Sequence, residues 1–459
     1  MFDLNWIRSF SLGTIVIALM AIASSIGVLV WQPDREHGLE MWIFSLEHEA
    51  LYRPVLEQRE RAGGEHVNLR VLATAALERR MMSGFFGGLR TADLIEVERQ
   101  MAGLAFTGPL EAVGFTDLTD HLVETGLMEQ INKPSFGPWT SRGRVFGLPH
   151  DVHPVMLGYR ADIVEAAGID VSQIETWDDF ARVLAPLMTD EDGDGKPDRY
   201  LLGLWETDSD RLETLLLQAG GRFFDERGAA VMDQERNAWA LSQIVSWCVG
   251  PTRIAADVPD FSAGGNRLKE EGYAVAYIMP DWMCNVWRMQ MPNLAGKVKV
   301  MPLPAFEPGG RRTSVWGGTM LGIPKTTVSF ERSWQVATDL YFSEELAKKL
   351  YSNNDIITPV KSHWSDPVFD APDPYFSGQA KGRMYIDLAP DVPARTSSPY
   401  NKLARDRFRD AAVAVAEWAR REGKCHPAEL IDKCREELAR AQGAVMRQME
   451  RNVFLEVDQ

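Results

Sequence analysis

Cysteine is scarce in this chain: there are four, Cys248, Cys284, Cys425 and Cys434, and none stands in a CxxC spacing. That removes the usual basis for a cysteine-held zinc. Catalytic signatures are missing as well. There is no G-x-S-x-G, no H-E-x-x-H and no P-loop, so nucleophile-elbow, zinc-protease and phosphate-loop chemistry have no motif to rest on. Positive charge is in deficit, with 49 Lys and Arg against 65 Asp and Glu and a net charge of −16. Phosphate binding is driven by clustered cations, so no nucleic-acid partner is expected. Internal repeats and low-complexity tracts are absent. Charge of either sign vanishes between Ser9 and Pro33.

What is present is ordinary globular composition, 45 % hydrophobic and 25 % charged. The 459 residues suffice for two or three domains at about 150 residues each. Arg8 stands just before the charge-free run, which is long for a signal-peptide core and close to the length of a spanning helix. Ala21-Ile22-Ala23 offers a small-residue cleavage site, but Ile26, Val28, Leu29, Val30 and Trp31 continue the run past it. With no cysteine here, a lipid anchor is set aside. Arg8 on the cytoplasmic side leaves the bulk of the chain outside. The protein is therefore expected to be exported, to the periplasm or the extracellular face, and an uncleaved N-terminal anchor is preferred to a cleaved signal. Export with an even cysteine count permits disulfides. Cys425 and Cys434 are close enough in sequence to pair, and Cys248 with Cys284 is the other candidate.

Beyond the run, strands are read at 39–44, 67–73 and 92–97, alternating with helices at 47–61 and 77–86. Further strands are read at 200–205, 273–279, 298–303 and 314–323, and helices at 161–167, 211–219 and 234–249. Thr176-Trp177-Asp178-Asp179 opens a helix as a capping box. From Ser329 the pattern turns helical, with one helix over 334–350 and two more over 402–422 and 428–450. Strand–helix alternation implies an α/β sheet covered on both faces. Residues 146–160 interrupt it: Pro149 and Pro154 punctuate a β-favouring run. Each proline removes a ladder donor, so the segment is expected to be an interrupted strand, a sheet edge or a crossing between two sheets. A crossing between two lobes is the preferred reading.

Several stretches in a characteristic order resemble the extracellular solute-binding proteins of carbohydrate ABC importers, family 1, the maltose-binding-protein-like type. These are 42–59, 92–97, 147–162, Thr176-Trp177-Asp178-Asp179-Phe180, the Asp-Gly loop 190–198, 217–224, 272–277, 316–325 and the helix beginning near Trp334. The resemblance implies a two-lobed α/β fold with a hinge, a carbohydrate held in the cleft, and delivery to membrane permease subunits with their ATPase. It implies a binding function rather than an enzyme, working as a monomer. On this basis 1–36 is leader or anchor plus spacer. Lobe 1 is expected to comprise 37–148 and 272–320, and lobe 2 to comprise 149–271 and 321–459.

Sugars stack a C–H face on aromatic rings while their hydroxyls bond to carboxylates. Of fourteen tryptophans, Trp42, Trp205, Trp282, Trp316 and Trp364 are candidate ligand contacts. Trp177, Trp239, Trp247, Trp334 and Trp418 read as packing. Gly317 and Gly318 allow close backbone approach to a ligand. Glu96, Glu98, Asp151, His153 and Asp281, with Ser45, complete the candidate site. His150 and His153 lie at odd separation, which places them on opposite faces of a strand and disfavours zinc. The loop 190–198 matches the first nine positions of an EF-hand, with Asp190, Asp192, Asp194 and Asp198 at ligand positions. Leu201 stands where the bidentate glutamate belongs, so a structural calcium ion would be weakly held. No other cofactor is expected. An exported glycosidase using two carboxylates among Glu96, Asp151 and Asp281 is the alternative. A membrane-tethered sensor using the same cleft is a further one.

Overall fold

The computed structural model describes residues 11–30, 38–190 and 192–452. Two five-stranded sheets carry the fold. The first takes β1 (Leu39–Ile43), β2 (Val67–Val71), β3 (Leu94–Glu98), β6 (Leu148–Pro149) and β12 (Thr319–Gly322), in the order β2-β1-β3-β12-β6. β1 pairs in parallel with β2 and β3, whereas β12 runs antiparallel to β3 and β6. The second takes β7 (Val155–Arg160), β8 (Tyr200–Gly203), β9 (Ala255–Ala256), β10 (Ala274–Pro280) and β11 (Val298–Pro302), in the order β11-β7-β10-β8-β9. A two-residue hairpin, β4 (Thr140–Ser141) with β5 (Arg144–Val145), stands apart.

Local chemistry accounts for the elements. β1 alternates buried Leu39, Met41 and Ile43 with half-buried Glu40 and Trp42, as a strand covered on its inner face must. Thr176 accepts from the Asp179 amide while the Asp179 carboxylate accepts from the Thr176 amide, closing the capping box read from sequence. The two C-terminal helices, Asn401–Glu422 and Pro427–Met449, bury one face each. Phe408, Ala412, Val415 and Ala419 on one meet a core that includes Leu430, Leu438 and Val445 on the other.

The sheets correct the expected lobe boundaries. Strand β10, expected in lobe 1, is central in the second sheet between β7 and β8. Every residue of β10 is buried, which marks a central strand, but burial does not say of which sheet. β12, which the expected boundary after residue 320 cuts in two, lies wholly in lobe 1, and so do the helices Phe330–Tyr341 and Glu344–Asn354, expected in lobe 2. Val336, Leu340, Leu346 and Leu350 share a core with β1 and the helix Leu46–Arg61. Lobe 1 is thus roughly 38–149 with 319–356, and lobe 2 roughly 155–302 with 357–452.

Three further expectations change. The strand read at 314–323 is confined to Thr319–Gly322, because Gly317 (φ 124°) and Gly318 (φ 134°) leave the extended region just before it. The single helix read at 334–350 is two helices: Ser343 accepts from the Leu346 amide and starts the second. All four cysteines are free. Cys434 is buried in the lobe 2 core, while Cys425 sits in the preceding loop against Gly250.

At the N-terminus the helix Leu12–Val30 has 19 residues without a charge and leaves Ile17, Leu19, Met20 and Ile22 exposed. Among the described residues no helix is long and apolar enough to cross a membrane. Arg8 and Trp31 lie outside the described residues.

Candidate functional site

The chain passes between the lobes three times, at 150–154, at 303–318 and at 355–357. The first passage is the proline-flanked stretch. Pro149 ends β6 in one sheet, and Pro154 bridges Val315 just before β7 begins in the other. The three passages are tied to one another. The Val152 amide donates to the Ile357 carbonyl (3.1 Å), the Trp316 amide to the His153 carbonyl (3.4 Å), and the His150 amide to the Thr319 carbonyl (2.9 Å).

A buried charge cluster sits at this junction. His153 places Nε2 3.1 Å from Asp151 Oδ2 and Nδ1 2.7 Å from Asp281 Oδ1. Burial works to lower the His153 pKa, but the two carboxylates outweigh it and raise it to about 10. Burial acts to raise the Asp151 pKa, and His153 beside it drives the value well below the carboxylate range instead. Asp281 also accepts from the Trp282 amide and, through Oδ2, from the Ile357 amide at 2.8 Å. One carboxylate therefore fastens the first and third passages to the start of the helix Asp281–Gln290. His153 adopts φ 53°, so the parity argument for an extended strand fails here. Both His150 and His153 contact Asp151, with His150 turned towards lobe 1 and His153 towards lobe 2.

Gly317 has a steric reason. A Cβ there would lie 2.3 Å from His153 Cδ2. With Gly318 it lines a shallow cleft between the lobes, about 320 Å³ with its mouth included, walled by Pro134, Pro138 and Trp139 on one side and Pro393 and Arg395 on the other. Asp151 is among its lining residues.

Beside this cleft a second depression is lined by charge. Arg99, at the start of a lobe 1 helix, reaches two carboxylates of the lobe 2 helix Ser209–Gln218: Glu213 at 2.8 Å and Asp210 at 3.0 Å. Arg405 shares Asp210 at 2.6 Å. Arg395 donates to the carbonyls of Gly317 (2.8 Å) and Val315 (3.0 Å), gripping the second passage. Burial would raise the Glu213 pKa, and Arg99 and Arg395 hold it at about 2 instead.

Of the aromatics, Trp282 and Trp316 are brought together. Their rings are edge-to-face at 5.7 Å, and Trp282 Nε1 donates to the Trp316 carbonyl at 2.8 Å. Phe261, 62 % exposed, stacks on the outer side of Trp282 at 6.2 Å. Trp282 packs against both lobe cores.

The remaining candidates are placed elsewhere. Trp42 donates to Glu40 and packs on the far core of lobe 1, with Leu77 and Met81. Trp205 lies between Arg253 and Arg420. Trp364 donates to the Thr358 carbonyl and packs on lobe 2. Ser45 caps the helix Leu46–Arg61. Glu96 is fully buried, its oxygens taken by His48 (2.8 Å), Tyr52 (2.7 Å) and Tyr341 (3.1 Å). Glu98 caps the helix Arg99–Ala105 and lies 3.5 Å from Arg99 Nε, at the edge of the charged depression. In the acidic loop, Asp190, Asp192 and Asp194 bring carboxylate oxygens within 4.8 Å of one another. Those oxygens accept from the amides of Gly193, Gly195, Asp194 and Lys196. The Asp198 amide donates to the Thr189 carbonyl, and Leu201, at the twelfth position, is buried in β8.

Sequence reading missed Arg99, Glu213, Arg395 and Arg405. Glu213 is buried in the helix Ser209–Gln218, between Leu212 and the run Leu215-Leu216-Leu217; a carboxylate set among leucines was the available signal. For the three arginines no local signal exists.

Residues 45–331 match the family model described as bacterial extracellular solute-binding protein. The chain is similar to an arabinooligosaccharide-binding protein of Halalkalibacterium halodurans, 24 % identical over 63 % of this chain and 64 % of that protein. A Bacillus subtilis arabinooligosaccharide-binding protein is 25 % identical over 69 % of this chain and 72 % of its own length. The alignment with the first of these thus spans just under two thirds of that relative. In fold, the chain resembles the sugar-binding protein MalE of Xanthomonas citri, with a TM-score of 0.70 at 15 % identity, over 90 % of this chain and 99 % of that one. Two sheets joined by three passages and a match over more than half the sequence lead to one assignment: the chain belongs to the bacterial extracellular solute-binding protein family.

Proposed function

We propose that this protein is the receptor of an ABC importer, capturing a carbohydrate between its lobes and handing it to the permease subunits. The observation that carries this reading is the cleft at the junction, where the three passages meet and lobe 1 faces lobe 2. Closure about such a hinge turns ligand contact into a shape that a partner can read. Trp282 and Phe261, backed by the buried ring of Trp316, supply aromatic surface beside the cleft for a sugar face, and Asp151, Gly317 and Gly318 supply polar and backbone contact. The relatives named for arabinooligosaccharide binding support an oligosaccharide as the ligand class.

The glycosidase alternative loses its carboxylates. Glu96 and Asp281 have their oxygens engaged by internal donors, whereas hydrolysis needs two carboxyl groups free to face the bond. Export is part of the proposal, as is a tether through the charge-free segment from Ser9 to Pro33. A monomer suffices for this role.

The test is a thermal-shift panel of arabino-, malto- and galacto-oligosaccharides, followed by calorimetry on the hits. A ligand binding only the native state raises the melting temperature. An intact sugar that stabilises the protein supports the receptor. Release of reducing ends during the incubation would overturn it in favour of the hydrolase.

A further inference from the structure

We propose that the carbohydrate taken by this cleft carries a carboxylate, as a uronate-type sugar does, and that Arg99, Arg395, Arg405 and Lys402 form its subsite. This inference rests on the carbohydrate reading and narrows it. The chain is acidic overall, at −16, yet the depression beside Gly317 and Gly318 is lined by those four cations and one carboxylate, Glu213. Glu98 and Asp210 adjoin the lining through their pairs with Arg99 and Arg405, so four cations face three carboxylates and the patch holds more positive than negative charge. Burial acts to raise the Glu98 pKa and does so, which thins the negative side further.

Donors are left over. Nε of Arg99, Arg395 and Arg405 is buried and makes no hydrogen bond. Arg99 Nε and Arg395 Nε each lie 3.5 Å from a carboxylate oxygen, of Glu98 and Glu213 respectively. The Arg395 side chain is only 6 % exposed. A buried guanidinium N–H without an acceptor carries an uncompensated desolvation cost. The planar Nε–Nη edge matches a carboxylate with two parallel hydrogen bonds. Burial, and then the like charge of Arg99, lowers the Arg395 pKa to about 10. An anion placed there reverses that strain, and a neutral hydroxyl does not. Lys402, exposed on the helix Asn401–Glu422, marks the mouth.

The test uses the full chain and compares galacturonate dimer and trimer with uncharged galactose oligomers of the same linkage, by calorimetry at two salt concentrations. The acidic ligands are expected to bind about tenfold or more tightly than the neutral ones, with affinity falling as salt rises. Arg405→Gln and Lys402→Gln are each expected to weaken the acidic ligand several-fold. If Arg405→Gln does not fold, Lys402→Gln, at an exposed position, carries the test. Neutral oligomers binding as well as or better than acidic ones would overturn this inference and leave the carbohydrate receptor standing. Binding of neither class would overturn this inference, and would overturn the carbohydrate receptor as well only if the arabino- and malto-oligosaccharides also fail to bind.

Discussion

His153 is the residue on which the junction turns. Its imidazole lies between Asp151 and Asp281 in a buried site, and its folded pKa of about 10 is well above the roughly 6.5 of an unfolded histidine. A raised pKa means that the folded state holds the proton more tightly. The stabilisation is therefore complete below about pH 6.5 and is lost as pH rises towards 10. Asp151 is shifted the other way, so its contribution is present above its unfolded value near 3.9 and lost as pH falls below that. Urea midpoints measured from pH 6 to pH 10 are expected to fall for the wild type, and His153→Gln is expected to flatten that slope. Trp316→Ala is expected to destabilise by about 3 kcal/mol or more, because a 93 % buried indole leaves a cavity. Calorimetric unfolding checks this, and unchanged stability would place the ring outside the packed junction. At this scale the sequence showed Asp151, His153 and the two prolines, because they sit together in one stretch. Glu96 and Asp281 were legible as carboxylates after strands. Their internal partners, Tyr341 for one and Ile357 for the other, come from far along the chain, so their saturation was not.

Elements were easier to read than their assembly. Periodicity points to a buried strand over 273–279 and an amphipathic helix over 402–422, and the structure has them at Ala274–Pro280 and Asn401–Glu422. It does not show that β10 pairs with β7 and β8, since both sheets accept an apolar strand. The helix break at Phe342–Ser343 was legible in principle, because a serine followed by two glutamates is a helix start. The hydrophobic spacing across it suggested continuity. Gly317 is where an element boundary becomes mechanical. Alanine there meets His153 and a left-handed φ together, so Gly317→Ala is expected to lower stability by about 2 kcal/mol and to weaken ligand capture. Thermal melts and calorimetry check the two effects, and a neutral result in both would remove the close approach from the account.

Across the whole molecule, the lobes are held together by charge as well as by chain. Arg99 from lobe 1 meets Glu213 and Asp210 from lobe 2, with Glu213 buried and the Arg99 side chain nearly so at 9 % exposed. Breaking a buried pair leaves the other charge unpaired, at a cost of about 3 kcal/mol. Glu213→Gln is expected to favour the open form, with a larger radius of gyration in solution scattering without ligand and a smaller one when ligand is restored. An unchanged scattering profile would show that the pair does not govern closure. The two-lobed class was recognisable from the order of several weak stretches, none decisive alone. The cross-lobe arginines, at positions 99, 395 and 405, are joined only by the fold.

The interleaving of the lobes also dictates an order of assembly. β3 and β12 are partners in one sheet, Glu98 opposite Thr319, yet more than two hundred residues of chain separate them. Closing so long a loop costs entropy before any contact repays it, and folding that depends on distant pairing is slow. While the ribosome is still making the second half, the first sheet lacks its inner strand and cannot be completed. An emerging chain of this kind stays threadable, which is the state that a protein-export channel requires of its cargo.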